Sequence, residues 1–282
     1  MTTPPLQQVA DALGTPVTNA TPLGGGCVAD VWRLRTTAGT IVAKVDRSPR
    51  PGLDLEAHML RYLAEHSRLP VPRVLHADPR LLLMQDIPSG GRRDRRAEED
   101  AARHLAALHD LTPPTGRGFG LDFDTLIGTL PQPNPWTDTW VGFFRDHRLR
   151  FMADQARLPA PLRARIDTLA DRLPDLLPEP AHPSLVHGDI WGGNVLVGDG
   201  RINAFIDPAI HYAHAEVELA FITLFNTFGE TFFNAYHQRR PIAPGFFEER
   251  RDLYNLYPLL VHATLFGGGY VSQVDHILRR FT

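Results

Sequence analysis

A chain of 282 residues with a formal charge of −3 and interspersed acids and bases is long enough for one large domain or two lobes. It carries no electrostatic footprint for nucleic acid. Nowhere do eighteen consecutive apolar residues occur, which excludes a membrane-spanning helix, and no basic segment followed by an apolar stretch opens the chain. The single cysteine, Cys27, rules out an intramolecular disulfide and suits a reducing compartment, so the expectation is a cytoplasmic protein.

In chain order, residues 7–13 have the spacing of a short amphipathic helix. Leu23, Gly24, Gly25, Gly26, Cys27 and Val28 then lead into Val31-Trp32-Arg33-Leu34-Arg35, whose alternation predicts a half-buried strand. Ala38-Gly39 turns the chain into a second strand over 41–45. Consecutive glycines let backbone N–H groups approach phosphate oxygens with no Cβ in the way, and Lys44 offers the opposing charge. Glycines alone also suit a flexible turn. The order of glycines, strand lysine and helical glutamate is what points to a nucleotide. That glutamate is Glu56, in the first turn of a helix read from Leu55, Met59, Leu60 and Leu63 with Asp54 as its N-cap. Glu56 either holds Lys44 toward the nucleotide, as kinases require, or merely complements the helix dipole.

Residues 69–75, with Pro70 and Pro72, read as an extended connection, and Leu81-Leu82-Leu83-Met84 as a buried strand. The hinge between lobes is expected over Gln85-Asp86-Ile87-Pro88-Ser89-Gly90-Gly91, with an adenine hydrogen-bonding to backbone near Met84, Gln85, Asp86 and Ile87. Arg92, Arg93, Arg95 and Arg96 are answered at once by Glu98, Glu99 and Asp100 and read as a solvated loop and helix start, with a substrate or phosphate role as the lesser alternative. A helix is predicted over 97–109. Residues 112–135, rich in Gly and Pro, predict a long surface connection that could contribute to a substrate pocket. Thr137-Asp138 predicts the cap of a helix carrying Trp140, Val141 and Phe144, and a further helix spans 161–173. Residues 217–281 read as largely helical, with their aromatics in the core.

The chemistry concentrates between His187 and Pro208. Asp189, four intervening residues and Asn194 repeat the spacing of a kinase catalytic loop, in which the Asp receives the substrate hydroxyl proton and the Asn holds magnesium. His-Gly-Asp is also compatible with a plain turn, and His187 is read as shaping the loop. Asp199-Gly200 predicts a two-residue hairpin turn between strands over 195–197 and 202–206. With Gly198 opposite Arg201, counting sets Asn194 opposite Phe205. Asn194 and Asp207 then share a face and can share a cation, provided no bulge intervenes. His211, His214 and Glu216 could be read as a zinc set, but histidines so spaced are not a typical ligand pair. Glu218 is expected to brace the catalytic loop.

With these residues in view, the chain resembles the bacterial branch of the fructosamine kinase (ketosamine 3-kinase) family, within the protein-kinase-like group that includes aminoglycoside phosphotransferases. His187-Gly-Asp189 through Asn194 and Asp207-Pro208-Ala209 carry the broad likeness. Leu23 to Cys27, the stretch from Thr129 through Pro-Gln-Pro-Asn to Trp136, Trp140 and Arg145, Gly188 to Asn194, Leu253 to Tyr257, and Leu265-Phe-Gly267 carry the narrower one. The resemblance implies an α+β, bilobal protein-kinase-like fold, with a small antiparallel-sheet nucleotide-binding lobe (1–86) and a larger, mainly helical catalytic and substrate-binding lobe (87–282). It implies ATP-dependent phosphorylation of the sugar 3-hydroxyl of ketosamines, after which the adduct breaks down and releases the amine. By the same resemblance Asp189 is the catalytic base, Asn194 and Asp207 hold Mg2+, Lys44 contacts the phosphates and Glu56 orients Lys44. Trp191 packs on the sugar or serves structure alone. His214 and Glu216 match substrate positions of a Gly-His-Arg-Glu pattern in which Ala213 and Ala215 replace the Gly and the Arg. Relatives also carry a cysteine where Cys27 stands, so the protein is expected as a monomer or a redox-dependent homodimer. The competing expectations are a kinase of aminoglycosides or amino alcohols, and a nucleotide-binding regulator without turnover.

Overall fold

Strand Leu81–Gln85 explains why its sequence is apolar without alternation: both faces of the sheet around it are covered. The computed structural model describes residues 4–24, 29–114 and 116–282. In chain order the elements are α1 (Leu6–Leu13), β1 (Val17–Leu23), β2 (Asp30–Thr36), β3 (Gly39–Val45), α2 (Leu53–His66), β4 (Val74–Asp78), β5 (Leu81–Gln85) and α3 (Arg95–His109). Then come β6 (Thr125–Ile127), β7 (Leu130–Gln132), α4 (Trp140–Phe144), α5 (Phe151–Gln155), α6 (Ala160–Leu176), β8 (Ser184–Val186), β9 (Val195–Gly198), β10 (Arg201–Phe205) and β11 (His211–Ala213). Helices α7 (Glu216–Leu224), α8 (Glu230–Arg239), α9 (Arg251–Phe266) and α10 (Gly269–Phe281) complete the chain, with π-helical turns at Arg145–Arg150 and Phe246–Arg250.

The chain divides into two compact units, Met1–His104 with Gly193–Pro208, and Leu105–Gly192 with Ala209–Thr282. The first contains an antiparallel sheet in the order β1-β2-β3-β5-β4. Trp32, Leu34, Ile41, Ala43, Val45, Leu81 and Leu83 pack on one face, with Val9 of α1. Leu82 and Met84 pack on the other, with Leu53, Ala57 and Leu60 of α2. Because side chains alternate along a strand, Lys44 points to the α2 face. Helix α2 begins two residues earlier than the sequence suggests. Gly52 occupies the N-cap and Asp54 lies inside the first turn, so Asp54 is not the cap.

The expected lobe boundary at residue 86 falls inside this first unit. Hairpin β9–β10 is tied to it by Gly91 N–H to Val197 O (2.8 Å), Phe205 N–H to Pro70 O (2.8 Å) and Ile202 N–H to Asp100 (3.0 Å). A turn at Asp199 and Gly200, with φ of 52° and 71°, joins its strands as the Asp-Gly signal predicts.

The second unit is mainly helical, with the short pairs β6–β7 and β8–β11. Residues 112–135 are less superficial than their composition suggests. Gln132 Nε2 donates to Thr125 (2.7 Å) and to Ala209 O (3.0 Å), Asn134 Nδ2 donates to Thr125 (2.9 Å), and all three side chains are buried. The start of α4 is capped by Glu179, which accepts the Trp140 and Val141 amides at 2.6 and 3.0 Å. Thr137 and Asp138 do not cap it. Among the described residues, no helix is long and apolar enough to cross a membrane.

Candidate active site

The first unit brings Lys44, Glu56 and Asp207 together. The Lys44 ammonium donates to Glu56 at 2.7 Å and to Asp207 at 2.5 Å, and its side chain is 8% exposed. Burial pulls the Lys44 pKa down, but the charges of Asp207 and Glu56 outweigh it, and the net shift is upward. Lys44 is therefore a permanent cation. Burial pushes the Glu56 carboxyl up to about 7 against the pull of Lys44. The lysine–glutamate pair anticipated from sequence is formed; its contact with Asp207 was not anticipated.

Asn194 and Asp207 stand differently from the register expected for them. Arg201 pairs with Gly198 and Ile202 with Val197, but Ala204 pairs with Leu196, so β10 bulges at Asn203. Phe205 lies opposite Val195, and the Ile206 amide donates to Asn194 O at 3.0 Å. The same-face argument from simple counting therefore fails. Asp207 lies beyond the strand in left-handed backbone (φ 55°), immediately after the residue bonded to Asn194. Amide and carboxylate oxygens are hard donors of the kind Mg2+ takes, and the Asp207 side chain stays 40% exposed despite its bond to Lys44. The donor set fits that ion. Among the described residues no cluster of three or more His, Cys, Asp or Glu groups forms a metal site.

The residues expected near an adenine are distributed unevenly. Met84 is buried against α2, Gln85 ends the ladder with its N–H on Arg73 O (2.9 Å), and Asp86 pairs with Arg33 at 3.0 Å. Ile87 follows beyond the strand, half-buried. Gly24 is exposed at the end of β1, whereas Gly25, Gly26 and Cys27 lie outside the described residues.

The second unit holds Asp189. His187 is fully buried, its Nδ1 accepts the Asp189 amide at 3.3 Å, and its carbonyl accepts the Ala209 amide at 2.8 Å. Glu218 accepts the Gly188 amide at 2.6 Å and the His187 amide at 3.2 Å, which is the brace expected of it. Burial alone would raise the Glu218 pKa, but hydrogen bonds from His109 and the loop hold it below the usual carboxylate range. Trp191 stands out from the loop, 37% exposed. Gly188 has φ 87°, and a Cβ there would lie 2.3 Å from Ala209 O, a backbone atom that cannot move aside. Gly188→Ala is expected to lose about 2–4 kcal/mol of stability and most turnover, as urea titration and a kcat measurement would show. Unchanged values for both would refute the tight loop geometry.

His214 and Glu216 are set in the core of the second unit. Both oxygens of Glu216 accept from Arg250, at 2.6 and 2.7 Å, and His214 packs against Trp140 and Tyr254. Burial drives the His214 pKa down to about 3, and burial also carries His211 well below its usual value. Unfolded histidines titrate near 6.5, so below that pH the unfolded chain takes up protons that the folded one refuses. Stability is therefore complete above about pH 6.5 and falls as pH drops toward the folded-state values. His214, with its folded-state value near 3, contributes a loss of about 1.3 kcal/mol between about pH 7 and 5.5, and His211 adds to it in the same direction. Urea midpoints at the two pH values should show the loss in wild type and less of it in His214→Phe.

These features define a protein-kinase-like phosphotransferase. An aminoglycoside phosphotransferase crystallised with ADP and hygromycin B shares the fold at a TM-score of 0.67 and 20% identity, covering 98% of each chain. The fructosamine kinase family model matches residues 1–282, and the chain belongs to that family. It is 33% identical to a probable ketoamine kinase of Synechocystis sp. over 97% of this chain and 94% of that one. It is 32% identical to the chloroplastic protein-ribulosamine 3-kinase of Arabidopsis thaliana, over 96% of this chain and 84% of that one. A crystal structure from Thermobifida fusca, a candidate fructosamine-3-kinase, superimposes with a TM-score of 0.84 at 30% identity, covering 98% of both chains. Membership of that family marks the chain as a kinase and does not favour the reading as an aminoglycoside phosphotransferase.

Proposed function

We propose that the protein transfers the γ-phosphoryl group of ATP to the sugar 3-hydroxyl of ketosamines, adducts of ribose- or glucose-derived ketoses on amines, as a cytoplasmic deglycation step. The observation that carries the nucleotide half of this reading is the buried Lys44 cation held by Glu56 and Asp207. Lys44 pairs the phosphates, Glu56 keeps it aimed, and Gly24, Gly25 and Gly26 offer backbone amides. Met84 to Ile87 frame the adenine, with Asp86 and Ile87 supplying the backbone beyond the ladder. Asn194 and Asp207 hold Mg2+, which when bound neutralises phosphate charge. Asp189 accepts the hydroxyl proton, and Trp191 offers its exposed ring to the sugar. His214 and Glu216 act from within the core, behind the substrate-facing surface. The functional lobes are residues 1–86 and 87–282.

The test is magnesium-dependent ADP release with ribulose-lysine, fructose-lysine and an aminoglycoside panel, with Asp189→Ala as blank. Turnover on a ketosamine is expected. Turnover on an aminoglycoside alone would overturn the substrate class. The chain is a monomer that Cys27 links into a homodimer on oxidation. Non-reducing gels after peroxide should show a dimer that Cys27→Ser lacks, and equal migration of the two would end that idea.

A further inference from the structure

Behind the catalytic loop, three buried side chains of the second unit run to two backbone amides of the loop. Tyr236 hydroxyl meets His109 Nδ1 at 2.7 Å, His109 Nε2 meets Glu218 at 2.9 Å, and Glu218 holds the His187 and Gly188 amides. An ionised carboxylate only accepts, so the His109 nitrogen facing Glu218 carries a proton. Burial raises the Tyr236 pKa, so its hydroxyl stays protonated and can donate to the other ring nitrogen. Glu218 thus receives three donors: one side chain from α3 and two backbone amides just before Asp189.

From this geometry we infer that His109, supported by Tyr236, is a positioning residue for phosphoryl transfer: it fixes the rotamer of Glu218, and through it the backbone that aims Asp189. The inference rests on Asp189 being the base. A mostly apolar cavity of ≈ 40 Å³, lined by Phe221, Tyr254 and Val261 as well as Gly188 and Tyr257, adjoins Glu218. Without the His109 donor, Glu218 loses one of its three partners, and the space beside it leaves it room to turn off the loop amides. The loop then keeps its fold but loses its aim, and a displacement on the order of 1 Å at a reacting group costs roughly a hundredfold in rate.

The experiment compares wild type, His109→Leu, His109→Gln and Tyr236→Phe by steady-state kinetics and by amide hydrogen exchange of the peptide carrying residues 187 and 188. The expected result for His109→Leu is a kcat lower by about a hundredfold with the KM for ATP within about twofold, and faster exchange confined to that peptide. His109→Gln, which restores an N–H toward Glu218, should regain at least about a tenth of wild-type kcat together with the exchange protection. A His109→Leu variant with kcat within about threefold of wild type, or a kcat loss with unchanged local exchange, would overturn the proposal. Should His109→Leu fail to fold, Tyr236→Phe decides. A severalfold lower kcat with faster local exchange supports the network, and wild-type values for both refute it. Exchange needs no substrate, so silence of the wild type on every ketosamine would strike the proposed function while the positioning network is still judged.

Discussion

Replacing Asp189 with alanine is expected to lower kcat by about three orders of magnitude while ATP affinity stays within about threefold. Little covalent work falls to the protein in phosphoryl transfer, which is carried by positioning, charge and the removal of one proton. The groups that would hold the nucleotide, Lys44, Glu56 and Asp207, lie in one unit, whereas Asp189 belongs to the other and is fixed through His187, Gly188 and Glu218. Loss of its carboxylate should therefore leave nucleotide binding standing. Isothermal titration with a non-hydrolysable ATP analogue and a single-turnover assay separate the two effects. Residual turnover above about a tenth of wild type would remove Asp189 from the role of base, since a positioned base contributes about a hundredfold or more. Loss of ATP binding would make it a nucleotide contact.

Local patterns in the sequence reach some features of this architecture and not others, for physical reasons. The pairing of Lys44 with Glu56 was legible because each sits on an element whose period fixes its face: period two on β3, and the first turn of a helix on α2. The β9–β10 turn was legible because Asp199-Gly200 favours the left-handed backbone such a turn needs. The bulge at Asn203 was not, since nothing in Ile202-Asn203-Ala204 marks an extra residue. The bulged residue's side chain reaches Pro88 O at 2.9 Å, a partner 115 positions away. The same limit hid Gln132 and Asn134, whose Pro-rich setting reads as surface until their buried acceptors are known. His109 and Tyr236 carried no motif and lie 127 residues apart. For Asp54 the error was local: it was taken as a cap by residue type, but Gly52 begins the helix, with its carbonyl accepting the Glu56 amide at 3.2 Å.

Breaking the Glu216–Arg250 pair is expected to cost about 3–5 kcal/mol, the largest stability effect of any single change considered. Their side chains are 6% and 10% exposed and joined by two hydrogen bonds, and the guanidinium also donates to Pro244 O at 2.8 Å and Ala243 O at 3.1 Å. The hydrogen bonds to Glu216 hold the Arg250 pKa above its ordinary value, so it stays charged across any practical pH range. Removing Arg250 leaves a carboxylate buried without its cation, and desolvation of that charge is no longer offset. Arg250→Ala and Glu216→Ala should each destabilise strongly, whereas the double variant should recover part of the loss because no charge is stranded. Urea denaturation of the four proteins gives the coupling directly, and strictly additive losses would show that the pair is not an energetic unit. The same variants assign the role of Glu216. Glu216→Gln should lower stability with little change in the ketosamine KM, whereas a raised KM with full stability would place Glu216 in direct contact with the substrate.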